Sequence, residues 1–203
     1  MPGNMKSTDK LPIRRIVTGH DPDGKAVVAM QGEPPHIISF PSVPGTYFFE
    51  IWKTPATPAP VDNGPDPTLG PRRMGPAPNG CAVRVVQIAP EKDVKLPSTL
   101  EEMEQHFRET GSPEAATSRL NAPHPLMHRT ETVDFGILID GELTLILDDS
   151  EVRLSPGDIV VQRGTNHAWS NRGDKPCRIA FVLLNGKYSD EVRESLVRRG
   201  DLH

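Results

Sequence analysis

Cysteine is nearly absent from this chain, with Cys81 and Cys177 its only two. They stand far apart without the close spacing of a zinc knuckle. A chain of 203 residues does not depend on one disulfide staple, so both are expected as buried thiols. Long apolar runs are missing as well. No stretch reaches the roughly 18 residues that a membrane span needs, and the opening MPGNMKSTDK carries no apolar region behind its charges. A soluble, cytoplasmic protein without a membrane partner is the expectation. Nor is there an excess of basic charge. With a formal net charge of -4 and a pI near 6.0, no sequence-wide field gathers nucleic acid, and a small molecule is the expected partner. Aromatic residues make up 5%, whereas proline is abundant at 22 residues, most of them before residue 98. That bias marks long irregular connections in the first half.

The length fits one domain with a sizeable core and a peripheral extension. Residues 1–12 are polar and read as a flexible terminus. Residues 13–97 read as N-terminal strands and a proline-rich arm that pack on a barrel. IRRIVTG and KAVVAMQ flank the turn HDPDG, HIISF and GTYFFEIWKT follow, and CAVRVVQIA restores a strand after the proline-rich stretch 54–80. That stretch reads as a surface loop with solvated charges rather than a lid or arm. Residues 98–123 read as a helical insert, with Ser98 and Glu101 as a capping box, His106 on an exposed helical face, and a second short helix from Pro113.

The clearest stretch is the expected barrel core, residues 124–187. Here FGILID, ELTLIL, EVRL, DIVVQ, HAWSN and RIAFVLL are short β-prone runs separated by turn residues, the spacing of an antiparallel sandwich or barrel. Residues 188–203 read as a C-terminal helix with Ser189 at its N-cap and Gly200 as its stop. The expected class is therefore all-β, with a few short helices.

Two polar clusters lie in the barrel region: His128 with Asp134, and His167 with Asn171. Six residues of extended strand span roughly 20 Å, too far for two side chains to share an ion, so convergence requires a bend near Thr130 to Thr132. Two imidazoles and one carboxylate suit Fe(II), Mn or Zn and leave positions open for substrate, water or O2. The competing reading makes both histidines ordinary barrel residues and pairs Asp134 with Arg129.

This stretch resembles the double motif of the cupin superfamily, over about residues 124 to 184. His128-Arg129-Thr130, Asp134 and Gly141 fall on the second half of the first motif, G-x5-H-x-H-x3,4-E-x6-G. Gly157, Gly164, His167 and Asn171 fall on the second, G-x5-P-x-G-x2-H-x3-N, with Gln162 at the proline position and one residue missing before it. The resemblance implies a jelly-roll barrel, a homodimer, and a divalent metal held by His128, Asp134 and His167. It also exposes departures: Thr130 stands where the second histidine belongs, and Asp134 where the glutamate does. The site is then a three-residue one, recruits a group such as His124, or has lost its metal.

Two functions compete on this reading. One is a metal-dependent decarboxylase, isomerase, dehydratase or dioxygenase acting on a small organic molecule with a carbonyl or carboxylate. The other is a metal-free small-molecule-binding cupin. The general acid or base is unassigned, with Glu50, His124 and Thr130 as candidates. Gln162, Trp169 and Arg84 are the candidate substrate contacts.

Overall fold

The computed structural model describes residues 9–70, 73–117 and 120–202, so the first eight residues of the expected flexible terminus lie outside it. In chain order its elements are β1 (Arg15–His20), β2 (Ala26–Gly32), β3 (Ile37–Ser39), β4 (Tyr47–Thr54), β5 (Cys81–Ile88), α1 (Leu100–Glu109), β6 (Thr132–Asp140), β7 (Leu143–Ile146), β8 (Glu151–Leu154), β9 (Ile159–Arg163), β10 (Ala168–Ser170), β11 (Cys177–Asn185) and α2 (Asp190–Arg198). The protein is all-β, an antiparallel jelly roll with two helices appended.

Two sheets build the barrel. The larger runs β3-β4-β5-β11-β6-β9 and the smaller β10-β7-β8, while β1 and β2 form a hairpin of their own. Every strand pairing is antiparallel. From β6 onward the chain passes back and forth between the sheets, with only β7 and β8 consecutive in one of them, and the alternation of the sequence explains which side chains fill the space between them. In β6 and β11, every second residue is buried over most of the strand. Leu138, Leu143, Leu154, Ile179, Phe181 and Leu183 form the core, joined from β5 by Ala82 and Val86. The expected packing of the N-terminal strands on the barrel takes the form of direct membership in its larger sheet, where β5 pairs with β11 along Cys177↔Ile88 to Leu184↔Cys81.

The corners between sheets need special backbone. Gly141 turns the chain from β6 to β7 at φ +79°, and a Cβ there would lie 2.6 Å from Cβ of Cys177. Both the dihedral and the space require glycine. Cys177 is buried, as expected; Cys81, at the start of β5, is only partly so.

α1 begins one residue later than the sequence suggests. Thr99, not Ser98, is the N-cap, and Glu102, not Glu101, closes the capping box. Ser98 instead donates its amide and hydroxyl to Glu102 at 2.7 and 2.9 Å. The buried face of α1 carries Met103, His106 and Phe107 while Leu100 is exposed, so His106 is buried, with Nδ1 2.8 Å from the Ser42 hydroxyl, and is not the exposed residue expected. The proline-rich stretch departs from a solvated loop in the same region. Thr68 and Met74 are buried, and Met74 packs on Phe107 of α1 with its amide donating to Ser112 Oγ at 2.9 Å. α2 starts at Ser189 as expected, whose hydroxyl accepts from the Val192 amide.

Candidate functional site

His128 and His167 face each other across a two-bond backbone bridge. The His128 amide donates to the His167 carbonyl at 2.8 Å, and the reverse bond is 2.9 Å. Their ring centroids are 4.2 Å apart, with the planes inclined by 50°. His167 extends β10 in the smaller sheet, so the chain changes sheet between His128 and the start of β6 at Thr132. In each ring Nδ1 lies 2.9 Å from a backbone carbonyl, that of Leu126 for His128 and that of Thr165 for His167. A carbonyl can only accept, so Nδ1 carries the ring proton and Nε2 of each neutral ring keeps its lone pair. Burial holds both imidazoles below the usual histidine range. Positive charge on His124 would add to this at His128, and charge on His128 would add to it at His167.

Gln162 helps to place His167. It stands on β9 opposite Asp134, and its Nε2 donates to the Thr165 carbonyl at 3.1 Å and to the Thr165 hydroxyl. That same carbonyl receives the His167 Nδ1 proton. Gln162 thus braces the turn and is absent from the cavity lining, which differs from the substrate contact expected.

Asp134 occupies β6 between Gln162 on β9 and Leu183 on β11. Burial pushes its carboxyl up to about 6, against a hydrogen bond from Thr132 and the positive charge of Arg84. Its Oδ1 is buried without a hydrogen-bond partner. Arg129, the expected partner in the competing reading, turns away instead: its Nη2 donates to the Asp201 carbonyl at 2.5 Å.

Arg84 lies on the inner side of β5, opposite Glu50 in the β4 register. Its Nη2 contacts Glu50 Oε1 at 2.9 Å and donates to the Arg73 carbonyl at 3.0 Å, while Nη1 donates to the Met74 carbonyl at 2.9 Å. The guanidinium sits 5.2 Å from the Phe48 ring centroid. Burial works against its charge and Glu50 sustains it. Arg84 Nε has no hydrogen-bond partner among the described residues. Glu50, a candidate acid or base, is spent on this ion pair and on Lys53 at 3.5 Å, and it does not line the cavity.

His124 adopts the tautomer opposite to the other two. The Leu126 amide donates to its Nδ1 at 3.1 Å, so Nε2 carries the proton and donates to Glu91 Oε1 at 3.0 Å. Burial raises the Glu91 carboxyl, but the hydrogen bond from His124 opposes it and the pKa is lowered overall. Sequence reading missed Glu91 because it lies 33 residues from His124, in a connection with no periodicity to orient it. Trp169 stacks edge-on to His167 at 5.5 Å and packs on Phe181 at 5.3 Å, so it joins the site to the core.

These groups share one cavity of about 130 Å³, walled by both sheets and by α1. His124, His128, Thr130, Asp134, His167, Trp169 and Arg84 all line it; the rest of the wall is mainly apolar, including Phe48, Phe107 and Val86.

The lone-pair Nε2 atoms of His128 and His167 have the form that a metal ligand takes. The third expected donor is not with them. Asp134 interacts instead with Thr132 and Arg84. Thr130, in the place of a second motif histidine, has its hydroxyl 2.7 Å from that of Thr132. Among the described residues, no group of three His, Cys, Asp or Glu is placed to hold a metal ion. The residues therefore do not fit the three-donor set that a catalytic metal ordinarily takes. The reason is local: the carboxylate belongs to the larger sheet and the imidazoles to the edge of the smaller one.

Comparison with known proteins agrees with the fold. Residues 118–183 match the family model described as the cupin domain. A phomopsin biosynthesis cluster protein of Diaporthe leptostromiformis is 53% identical over 64 residues, 30% of this chain and 34% of that protein. A cupin-domain-containing oxidoreductase of Aspergillus ruber is 44% identical over 63 residues, 29% of this chain and 31% of that one. The chain thus spans about a third of the length of the curated relatives it matches. Among solved structures, the cupin domain of Schizosaccharomyces pombe Cnp3 aligns over 92% of this chain and 93% of its own, at 10% identity and a TM-score of 0.40. The family model matches over both motifs, and the strands that carry them belong to an antiparallel jelly roll, so residues 118–183 of this chain are similar to a cupin domain.

Proposed function

We propose that this protein is a cupin enzyme that takes a small, largely apolar organic molecule with a carbonyl group into the barrel and moves a proton on it. The isomerase and dehydratase members of the expected set fit this chemistry. One observation carries the reading: two buried, neutral imidazoles present their lone-pair Nε2 atoms in one cavity, each with its tautomer fixed by a backbone carbonyl. Such a nitrogen is a general base, and a fixed tautomer removes the cost of reorienting the ring during proton transfer. Apolar walls exclude competing water and strengthen the polar contacts inside. The relatives' names, biosynthesis cluster protein and oxidoreductase, support an enzymatic role in small-molecule metabolism.

The cavity size sets the probe. An apolar cavity of about 150 Å³ accommodates a benzene ring, so the 130 Å³ here suits a single-ring molecule. Cyclohexanone in D2O, followed by proton NMR, reads proton abstraction next to a carbonyl directly. Faster deuterium incorporation with the unmodified protein than with His128→Gln and His167→Gln is the expected result. Equal incorporation by all three would overturn the reading. Stoichiometric metal in the unmodified protein that disappears in both variants would replace it with a metal centre.

A further inference from the structure

Two buried polar atoms in the cavity wall have no hydrogen-bond partner among the described residues, and they are of opposite kinds. Arg84 Nε is a donor and Asp134 Oδ1 is an acceptor. Both residues are more than nine-tenths buried, at 3% and 5% exposure. They lie on the same inner side of the larger sheet, with β11 between their strands: Arg84 is paired with Phe181, and Asp134 with Leu183. They are close enough for the Arg84 charge to act on the Asp134 carboxyl. The remaining Arg84 nitrogens are committed to Glu50, Arg73 and Met74, which leaves Nε as the one nitrogen without a partner among the described residues. An unmet buried donor or acceptor carries the desolvation penalty of its group, so such a pair signals a ligand that meets both.

We infer that Arg84 and Asp134 form a subsite for a neutral hydroxyl group, which accepts from Arg84 Nε and donates to Asp134 Oδ1. A carboxylate, a ketone and an ammonium group each match only half of the pair. A carboxylate accepts from Arg84 but sets a second acceptor of like charge against Asp134. A ketone accepts from Arg84 and leaves Oδ1 unmet. An ammonium group satisfies Asp134 and confronts Arg84 with another donor. A hydroxyl both donates and accepts, and its small size suits a cavity already filled by one ring. This differs from the carboxylate contact that a buried arginine first suggests. The subsite deepens the proposed function by naming a second group on the molecule the cavity takes, but it rests on binding alone and needs no proton transfer.

Phenol, toluene and benzoate test it by isothermal titration calorimetry. They share one ring and differ in the group attached. Phenol is expected to bind at least tenfold more tightly than toluene, a difference of about 1.4 kcal/mol, and benzoate more weakly than phenol. In Asp134→Ala the preference for phenol over toluene should fall to within about twofold, while toluene affinity is retained. Retained toluene binding also shows that the variant cavity is intact. Equal binding of phenol and toluene to the unmodified protein would overturn the subsite, as would tighter binding of benzoate than of phenol, or no binding of any of the three. If Asp134→Ala fails to fold, the ranking on the unmodified protein still decides. Failure of cyclohexanone exchange would leave this ranking untouched, so the two proposals fail separately.

Discussion

Gly136 on β6 stands directly opposite Phe181 on β11, and the ring occupies the space that a side chain at 136 would need. A Cβ built there lies 3.1 Å from Phe181 Cε1 and 3.3 Å from Ile179 Cδ1. Gly136→Ala should therefore destabilise the protein by about 1–3 kcal/mol through overpacking, only partly offset by the better strand propensity of alanine. Urea denaturation measures the loss, and an unchanged midpoint would contradict the tight contact. Because Phe181 also lines the cavity, the same substitution should weaken binding of ring-sized ligands.

The two imidazoles give the protein an acid-sensitive step. Both have pKa values below the ordinary 6.5, so the unfolded chain takes up their protons before the folded one does. Stability from this source is fully present above pH 6.5 and is lost as pH falls below it, by at most about 1.4 kcal/mol per pH unit for each histidine. Replacing both with glutamine should flatten the decline between pH 6.5 and 5. Chemical denaturation across that window compares the slopes, and parallel slopes would refute the assignment.

Asp134 has the opposite sign. Its carboxyl is raised from 3.8 to about 6, so the folded state holds the proton more tightly. The associated stability is present below pH 3.8 and is lost as pH rises through about 6. Asp134→Asn, which removes the burden of a buried charge, should stabilise the protein by about 1–3 kcal/mol at pH 7.5. The gain should shrink toward pH 4. Thermal melts of both proteins at the two pH values read the difference.

The start of α1 separates two neighbouring residues that look alike. The Thr99 hydroxyl accepts from the Glu102 amide at 3.2 Å and caps the helix, whereas Ser98 contributes only exposed bonds to the Glu102 carboxylate. Thr99→Ala should cost about 1 kcal/mol and Ser98→Ala about half of that or less. Equal losses in denaturant titrations would place the cap at Ser98 after all.

The barrel was legible because its signals are local. Alternation in β6 and β11, and turn residues such as Asp140-Gly141, depend on neighbours a few positions away, and the strands fall where those signals predict. The motif spacing likewise located His128 and His167. What escaped was set by distant partners. Asp134 could be placed near the histidines by sequence spacing, yet its surroundings come from Arg84 across β11. Glu91 and Glu50 acquire their roles from His124 and Arg84, 33 residues away in the first case. Burial of His106 comes from Ser42 and Phe40, distant in sequence, packing on its face of α1.

The seat of β5 in the sheet bears on how this protein can be handled. β11 closes the stretch that the family model matches, yet one of its two long sides is occupied by β5, from well upstream. A fragment cut at residue 118 would bare that side as a ragged row of open amides and carbonyls and would forfeit Arg84 and Glu91 together. Such a fragment should self-associate rather than fold as a working barrel, so swapping this segment between relatives calls for carrying the upstream strands with it.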